Sequence, residues 1–208
     1  MFYFVKTPGW LKKIYSGCTW QMDTAEKKIY LSFDDGPHPV ITRFVLDTLD
    51  KYNARATFFC IGKNVAEHPE VYQQILAGGH AVGNHTFNHL NGWKTPAGLY
   101  IENIELAQQL IKANLYRPPY GKISFRQMKQ LAEKQPTLKI IMWTVLSADF
   151  DKKITPEKCL KNVLQNTGNG SIVVFHDSER AFEKLQFVLP KVMRHFADQG
   201  YQFEQLIK

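Results

Sequence analysis

The sequence has few of the features that mark membrane, disulfide-rich or repeat proteins. Its three cysteines, Cys18, Cys60 and Cys159, are odd in number, widely spaced and form no C-x-x-C pair, which argues against a disulfide framework and a cysteine zinc site. Its longest apolar run covers residues 140–146, far short of the roughly 18 residues of a membrane-spanning helix. Internal repeats, low-complexity tracts and linkers are also missing from the sequence. These absences favour a globular protein with one core.

The charge pattern limits the classes of partner. Lysine and arginine number 26 against 19 for aspartate and glutamate, which gives a net charge of +7 and a pI near 9.2. The basic residues are scattered singly or in pairs, without a basic helical face interleaved with aromatics, so we expect no nucleic-acid binding. An anionic polymer stays compatible with this charge. Because no convincing signal peptide is present, we expect a cytoplasmic protein, with cell-envelope association as the alternative.

Length and composition predict a single α/β domain. The chain has 208 residues, of which 44% are hydrophobic and 22% charged, as in ordinary globular proteins. Short apolar runs alternate with amphipathic segments from residue 28 onward, which favours a largely parallel sheet with helices between the strands. About seven such units in this length indicate a small or incomplete barrel. We predict strands at 29–33, 56–61, 80–82, around 116, 140–145 and 171–175, and helices at 39–52, 68–77, 97–113, 123–134, 156–166 and 181–199.

Two adjacent aspartates, Asp34 and Asp35, directly follow the first predicted strand. A single Asp-Gly step would indicate a turn or a helix cap, but neighbouring carboxylates repel unless a cation or separate roles keep them apart. His85 and His89 are spaced i and i+4, so we expect them to share one face of a helical turn and to bind one metal; two polar histidines in a loop are the alternative. Asp35 and both histidines would then leave an open position for water, and Asp34 would be free as a base.

Further polar residues lie at other predicted strand ends. Arg117 opens a proline-stiffened segment that holds both this side chain and the Tyr120 backbone N–H in place, and a rigid surface turn is the alternative. Asp149 and His176 each follow a later strand. A lone histidine at a strand end is more often structural than catalytic. With Asp149 at an equivalent strand end, we predict that His176 is a protonated general acid.

Together these segments resemble the motifs of the polysaccharide deacetylases, the NodB homology group or carbohydrate esterase family 4. The resemblance covers residues 28–208 and implies a distorted (β/α)7 barrel there, with residues 1–27 as an N-terminal extension packed on it. The extension residues that we expect to pack across the barrel are Phe2, Tyr3, Phe4, Trp10, Leu11 and Trp20. The motifs, in the family's order, are Ser32-Phe33-Asp34-Asp35-Gly36, His85-Thr86-Phe87-Asn88-His89, Arg117-Pro118-Pro119-Tyr120-Gly121, Ser147-Ala148-Asp149-Phe150 and Val174-Phe175-His176.

The resemblance also implies a role for each motif. Asp34 is implied to be the base and Arg117 the residue that orients it. His176, tuned by Asp149, is implied to protonate the leaving amine, and the Tyr120 N–H to join the metal in stabilising the oxyanion. The implied metal is one divalent ion, zinc first and cobalt, nickel or manganese as alternatives. Its implied ligands are Asp35, His85 and His89.

Two motifs depart from the family pattern. Where the fourth usually reads D-x-x-D-W, this chain has Leu146 in place of the first aspartate and Phe150 in place of tryptophan, and Val174 replaces the usual leucine of the fifth. Phe150 and Val174 can still wall a small acetyl pocket. We therefore predict Phe150, Val174 and Pro119 as substrate-binding residues.

These observations predict a metal-dependent hydrolase that removes acetyl groups from an N-acetylated glycan, either peptidoglycan fragments or chito-oligosaccharides. An acetyl xylan esterase and a non-catalytic glycan-binding module are the alternatives. Two histidines and one carboxylate also occur in non-haem iron oxygenases, but that chemistry leaves Asp34, Asp149 and His176 unused. We expect a monomer without a transmembrane segment.

Overall fold

A curled sheet of parallel strands forms the centre of the molecule in the computed structural model, which describes residues 3–206. Its strand order is β5-β4-β3-β2-β1-β7-β6, with β8 beside β1, and every strand pair is parallel. The predicted distorted (β/α)7 barrel is confirmed. The strands are β1 (Lys28–Asp34), β2 (Thr57–Cys60), β3 (Ala81–Asn84), β4 (Leu115–Tyr116), β5 (Lys139–Ile140), β6 (Val145–Leu146), β7 (Ile172–His176) and β8 (Gln202–Phe203).

Helices connect the strands and cover the outside of the sheet. Two of them begin at side-chain caps: Ser124 and Gln127 form a reciprocal capping box, and Thr155 accepts a hydrogen bond from the Lys158 N–H. The helices are α1 (Gly9–Ile14), α2 (Ile41–Asp50), α3 (Gly62–Glu67), α4 (Pro69–Ala77), α5 (Ala97–Gln108), α6 (Phe125–Lys134), α7 (Pro156–Asn166) and α8 (Phe182–Asp198).

The core lies between the sheet and the helices. Strand β1 is buried along nearly its whole length because its neighbours β2 and β7 flank it and helices cover its outer face. Phe33 stacks on Phe58 and Phe175 from those two strands, with ring centroids 5.1 and 6.0 Å apart. Cys60 lies in the core, and all three cysteines are buried free thiols. Among residues 3–206, none of the helices is both long and apolar enough to span a bilayer.

The strand predicted at 140–145 is wrong as a single element. It divides into β5 and β6, which lie at opposite ends of the strand order. The carbonyl groups of Ile141 and Met142, in the break, accept hydrogen bonds from the buried guanidinium of Arg117 at 3.2 Å each. These residues therefore leave the regular ladder to satisfy a buried cation. The helix predicted from Pro39 begins only at Ile41, because the His38 ring accepts the first free N–H groups.

The N-terminal segment, residues 3–20, closes the gap between β5 and β6. Leu146 N donates to Val5 O and Thr7 N donates to Thr144 O, at 2.8 and 2.9 Å. At the other side Thr19 exchanges backbone hydrogen bonds with residues 140 and 142. The segment thus completes the barrel wall in place of a strand pair.

The aromatic residues of this segment are buried to different degrees. Trp20 is buried and Phe4 is 38% exposed, whereas Trp10 is 56% exposed because the short helix α1 buries none of its residues. Phe2 lies outside the described residues. The division of the chain at residue 27 stays a prediction.

Candidate active site

The polar residues singled out in the sequence gather around one cavity of about 740 Å³. Asp34 and Asp35 follow β1, His85 and His89 follow β3, and His176 ends β7, so the carboxyl ends of parallel strands bring them together. The N-terminal segment supplies another part of the wall. The polar residues that follow separate predicted strands therefore lie together at one edge of the sheet.

Three side chains at the bottom of this cavity converge on one point. Ligand atoms of Asp35, His85 and His89 all lie within 4.8 Å of one another. Asp35 Oδ1 is 3.2 Å from His89 Nε2 and 3.6 Å from His85 Nε2, yet it makes no hydrogen bond within the described residues. Burial opposes ionisation of Asp35, but His89, His176 and His85 outweigh it and hold its pKa well below the usual range.

The two histidines converge without the helical turn that their spacing predicts. Residues 85–89 form an irregular loop after β3, in which Thr86 and His89 have left-handed backbones with φ of 64° and 55°. The side chain of Asn103, on α5, accepts hydrogen bonds from the N–H groups of Phe87 and Asn88 at 3.0 and 2.9 Å. The predicted helical turn is wrong, because residues 85–89 form a loop, but this loop still brings both imidazoles to Asp35.

The tautomer of His85 is determined by the hydrogen bond that its Nδ1 makes. Nδ1 lies 2.8 Å from the carbonyl oxygen of Arg117, and because a carbonyl only accepts, Nδ1 carries the proton. Burial lowers the pKa of His85 to about 4, so the ring is neutral at pH 7. Its Nε2 therefore presents a lone pair to Asp35 and His89, as metal-binding histidines do.

Asp34 is held by a fully buried arginine. Nη1 of Arg117 donates to Asp34 Oδ1 at 2.6 Å and to Ser32 Oγ at 2.8 Å. The guanidinium also stacks on Phe59, with its central carbon 4.0 Å from the ring centroid. Because Arg117 is 0% exposed, its position is fixed by β1, β2 and the break after β5. This geometry fixes Oδ1 of Asp34, and within residues 3–206 no ion pair engages its other oxygen, Oδ2.

His176 and Asp149 form a second buried pair. Asp149 accepts two hydrogen bonds from His176, from Nδ1 at 2.7 Å and from the backbone N–H at 2.8 Å. Burial lowers the pKa of His176, but the charge and hydrogen bond of Asp149 outweigh it and raise that pKa to about 10. The ring is therefore protonated at pH 7, with Nε2 as the nitrogen not held by Asp149.

Sequence reasoning missed Asp177 and Asn64, which support the Asp35 turn. Asp177 is buried, accepts a hydrogen bond from Gly36 N at 3.0 Å and another from the Thr42 hydroxyl, and burial raises its pKa to about 7. Asn64 donates to Asp35 O at 2.7 Å. These contacts hold Asp35 at a φ of 82°. Asp177 directly follows His176 in the sequence, which is the one signal that could have found it.

Left-handed backbone conformations are concentrated at this site. Among residues 3–206, six residues other than glycine have a positive φ, and five of these belong to the segments that form the site or adjoin them. Such conformations cost about 1–3 kcal/mol each, and they persist where surrounding contacts enforce them. The five residues are Asp35, Thr86, His89, Tyr120 and Ala148.

Apolar side chains line the cavity beside His176. Phe150 contacts the His176 ring edge-on with centroids 5.1 Å apart, and Val174 and Leu146 are also lining residues. The ring of Tyr120 contacts His89, with centroids 4.6 Å apart. The structure does not place Pro119 at the cavity wall, because this residue is buried within a single turn of 3-10 helix.

The donor set fits a divalent metal ion. Asp35 Oδ1 is a buried anionic oxygen without a hydrogen bond, and it faces the free nitrogen of a neutral imidazole. The charged groups around it, Asp34, Asp35 and Asp149 against Arg117 and His176, leave one negative charge that a cation would compensate. Two imidazoles and one carboxylate are a ligand set of catalytic zinc sites.

The chain is similar in sequence to proteins named as deacetylases of glycans. The family model for polysaccharide deacetylase matches residues 21–137. A peptidoglycan-N-acetylglucosamine deacetylase of Bacillus cereus is 33% identical over 191 residues, which is 89% of this chain and 89% of that protein. A chitooligosaccharide deacetylase of Azorhizobium caulinodans is 36% identical over 160 residues, or 73% of this chain and 74% of that protein.

The fold comparison extends over nearly the whole molecule. A crystal structure of a peptidoglycan N-acetylglucosamine deacetylase, in complex with 4-naphthalen-1-yl-N-oxidanyl-benzamide, superposes with a TM-score of 0.86 at 28% identity. The match covers 96% of this chain and 95% of that chain. Other relatives are longer, and this chain covers as little as 37% of one of them.

Proposed function

The chain belongs to the polysaccharide deacetylase family, and from this premise we propose that it hydrolyses the N-acetyl groups of peptidoglycan fragments or chito-oligosaccharides with one divalent metal ion. The observation that carries the proposal is the cluster of Asp35, His85 and His89 beside two separately paired groups, Asp34 and His176. A base, an acid and a cation site in one cavity are the components that amide hydrolysis needs.

We propose that Asp35, His85 and His89 hold the ion, which is zinc or, alternatively, cobalt, nickel or manganese. When bound, such an ion polarises a carbonyl oxygen and lowers the pKa of water from 15.7 to about 7. The orphaned Asp35 Oδ1 and the Nδ1 proton of His85, fixed by the Arg117 carbonyl, support this assignment. Asn64 and Asp177 keep the Asp35 turn in place.

Asp34 is proposed as the base, because it is not part of the converging cluster. Arg117 holds Asp34 Oδ1 at 2.6 Å, so the second oxygen, Oδ2, can accept a proton from the attacking water. Ser32 shares Nη1 of Arg117, which limits rotation of the guanidinium. A base fixed in this way pays no reorganisation energy during the reaction.

His176 is proposed as the acid that protonates the amino leaving group. Asp149 binds Nδ1 and the backbone N–H, which keeps the ring protonated and aims Nε2 at the cavity. Once the nitrogen of the amide accepts this proton, the C–N bond can break and acetate leaves as the second product. The Tyr120 backbone N–H is proposed as an oxyanion donor, and Phe150 and Val174 as the walls of the acetyl pocket.

Variants of the two adjacent aspartates test the proposal. We expect Asp34→Asn to lower acetate release from chitotetraose or peptidoglycan by at least about 10²-fold while the metal content stays near one ion per chain. Asp35→Asn should lower the metal content itself. Activity is measured as acetate release from these two substrates and from acetyl xylan, with and without a chelator. Metal content is measured by elemental analysis.

Several outcomes would contradict the proposal. Full activity after chelation would exclude the metal, and equal metal loss in the two variants would make Asp34 a ligand. Preferred release from acetyl xylan would favour the esterase alternative. Binding of these glycans without any acetate release, in protein loaded with zinc, would favour the non-catalytic module.

A further inference from the structure

The exposed aromatic side chains are not spread over the surface. Among the described residues, five large aromatics are exposed, and four of them, Phe4, Trp10, Trp93 and Tyr120, line the candidate active-site cavity. The fifth, Phe125, stacks on Tyr15, another lining residue, with centroids 5.0 Å apart. Apolar groups gathered on one exposed surface mark a binding site rather than chance exposure.

The N-terminal segment contributes two of these exposed rings, Phe4 and Trp10. Trp10 lies on α1, which buries none of its residues, and its ring contacts Phe4 edge-on with centroids 6.2 Å apart. Backbone hydrogen bonds at Val5, Thr7 and Thr19 hold the segment against the barrel on both sides of α1. Trp10 is thus an exposed ring on a segment that the barrel holds in place, and its side chain contributes little to the stability of the fold.

The cavity is too large for an acetyl group alone. Its volume of about 740 Å³ falls within the range of sites that enclose whole ligands, about 300–1,000 Å³. Trp93, on the loop after His89, carries the ammonium group of Lys122 at 4.8 Å from its ring centroid, which fixes that ring at a second place on the wall. Aromatic rings therefore line the cavity at two places outside the reacting groups.

We propose that Trp10 is a stacking platform for a sugar ring adjacent to the one that loses its acetyl group, so that the N-terminal segment forms part of an oligosaccharide-binding cleft. The C–H groups on one face of a pyranose are apolar and slightly positive, which complements the negative π face of an indole. The ligand class is an N-acetylated oligosaccharide of several rings. This inference rests on the proposed function, since it names the length of glycan that the same site binds.

The test measures binding rather than turnover. Asp34→Asn protein loaded with zinc binds substrate without consuming it, and isothermal titration with chitotetraose and with N-acetylglucosamine gives two dissociation constants. We expect the tetrasaccharide to bind more tightly, and Trp10→Ala in this background to weaken tetrasaccharide binding by about 10-fold, the scale of single aromatic stacking contacts. Trp10→Phe should restore most of the affinity. Leu99→Ala removes a side chain of matched exposure, 57%, that lies outside the cavity, and it should leave the dissociation constant of the tetrasaccharide unchanged.

The outcomes separate this inference from the proposed function. Tetrasaccharide binding within 2-fold of the parent after Trp10→Ala would overturn the platform, as would an equal loss in Leu99→Ala. A parent that binds both sugars equally would also overturn it while leaving acetate release intact. Binding of neither sugar, nor of peptidoglycan, would overturn both.

Discussion

Replacing Arg117 with leucine should destabilise the protein more than any surface change. The substitution removes the partner of Asp34, a carboxylate that is only 4% exposed, and the donor to two main-chain carbonyls. Leaving one charge of a buried pair uncompensated costs about 3–5 kcal/mol. The total free energy of unfolding of a domain is only about 5–15 kcal/mol. Loss of this one side chain therefore consumes a large share of the stability.

The measurement is urea unfolding at pH 7 in the presence of a chelator, so that metal binding does not contribute. With a slope of about 2.5 kcal/mol/M, a loss of about 4 kcal/mol lowers the midpoint by roughly 1.6 M. Arg194→Leu is the matched control, because this side chain is 80% exposed and its ion pair with Asp198 is a surface contact. We expect less than about 0.5 kcal/mol there.

A second substitution identifies the buried charge as the cause. In the Arg117→Leu background, Asp34→Asn removes the uncompensated carboxylate and should return at least about 2 kcal/mol, although the same change in the wild type is destabilising. If Arg117→Leu costs less than 1 kcal/mol, or if Asp34→Asn fails to restore stability, the charge argument is refuted. Any stability lost in Arg117→Leu would then come from packing of the Arg117 side chain against Phe59.

Two further predictions concern the acid pair and the turn after β1. Because the pKa of His176 is raised to about 10, its protonated form favours folding below pH 6.5, and this contribution disappears as the pH rises through about 10. Asp149→Asn should therefore move the alkaline limb of the pH–rate profile to lower pH. His176→Ala should slow hydrolysis of the amide about 10²–10⁴-fold but hydrolysis of an activated acetate ester far less. Equal losses on both substrates in His176→Ala, or an alkaline limb that stays in place in Asp149→Asn, would exclude the acid role. Gly36→Ala should cost several kcal/mol in thermal unfolding, because the added Cβ would lie 2.1 Å from Asp177 Oδ2; Gly98→Ala, where nothing lies within 4 Å, is the control, and equal melting temperatures would contradict the crowding argument.

The repeating strand and helix order could be predicted because parallel strands buried on both faces appear as continuous apolar runs. Strand β1 extends one residue beyond each end of the predicted 29–33, and α7 has the predicted ends. The residues 140–145 also form an apolar run, but their carbonyls bond to Arg117 from a different part of the chain. No local pattern can report such a long-range partner.

The site residues could be found as types but not as geometry. Charged and imidazole side chains at strand ends predicted the two carboxylates and His176, whereas the shape of the loop at 85–89 depends on Asn103, which lies on α5. The left-handed backbone of Thr86 could not be foreseen, because a β-branched residue rarely adopts this conformation. Tertiary contacts enforce what the local sequence disfavours.

The closing of the barrel by residues 3–20 has a consequence for how the protein folds. Thr7 bonds to Trp143, 136 residues further along the chain. At a synthesis rate of about 5–20 residues per second, the segment waits roughly 7–27 s on the ribosome before its partner exists. Its aromatic rings stay uncovered during that time. Contacts of such long separation slow folding, so we expect the barrel wall to close late and residues 3–20 to be a part of the nascent chain exposed to chaperones and to aggregation.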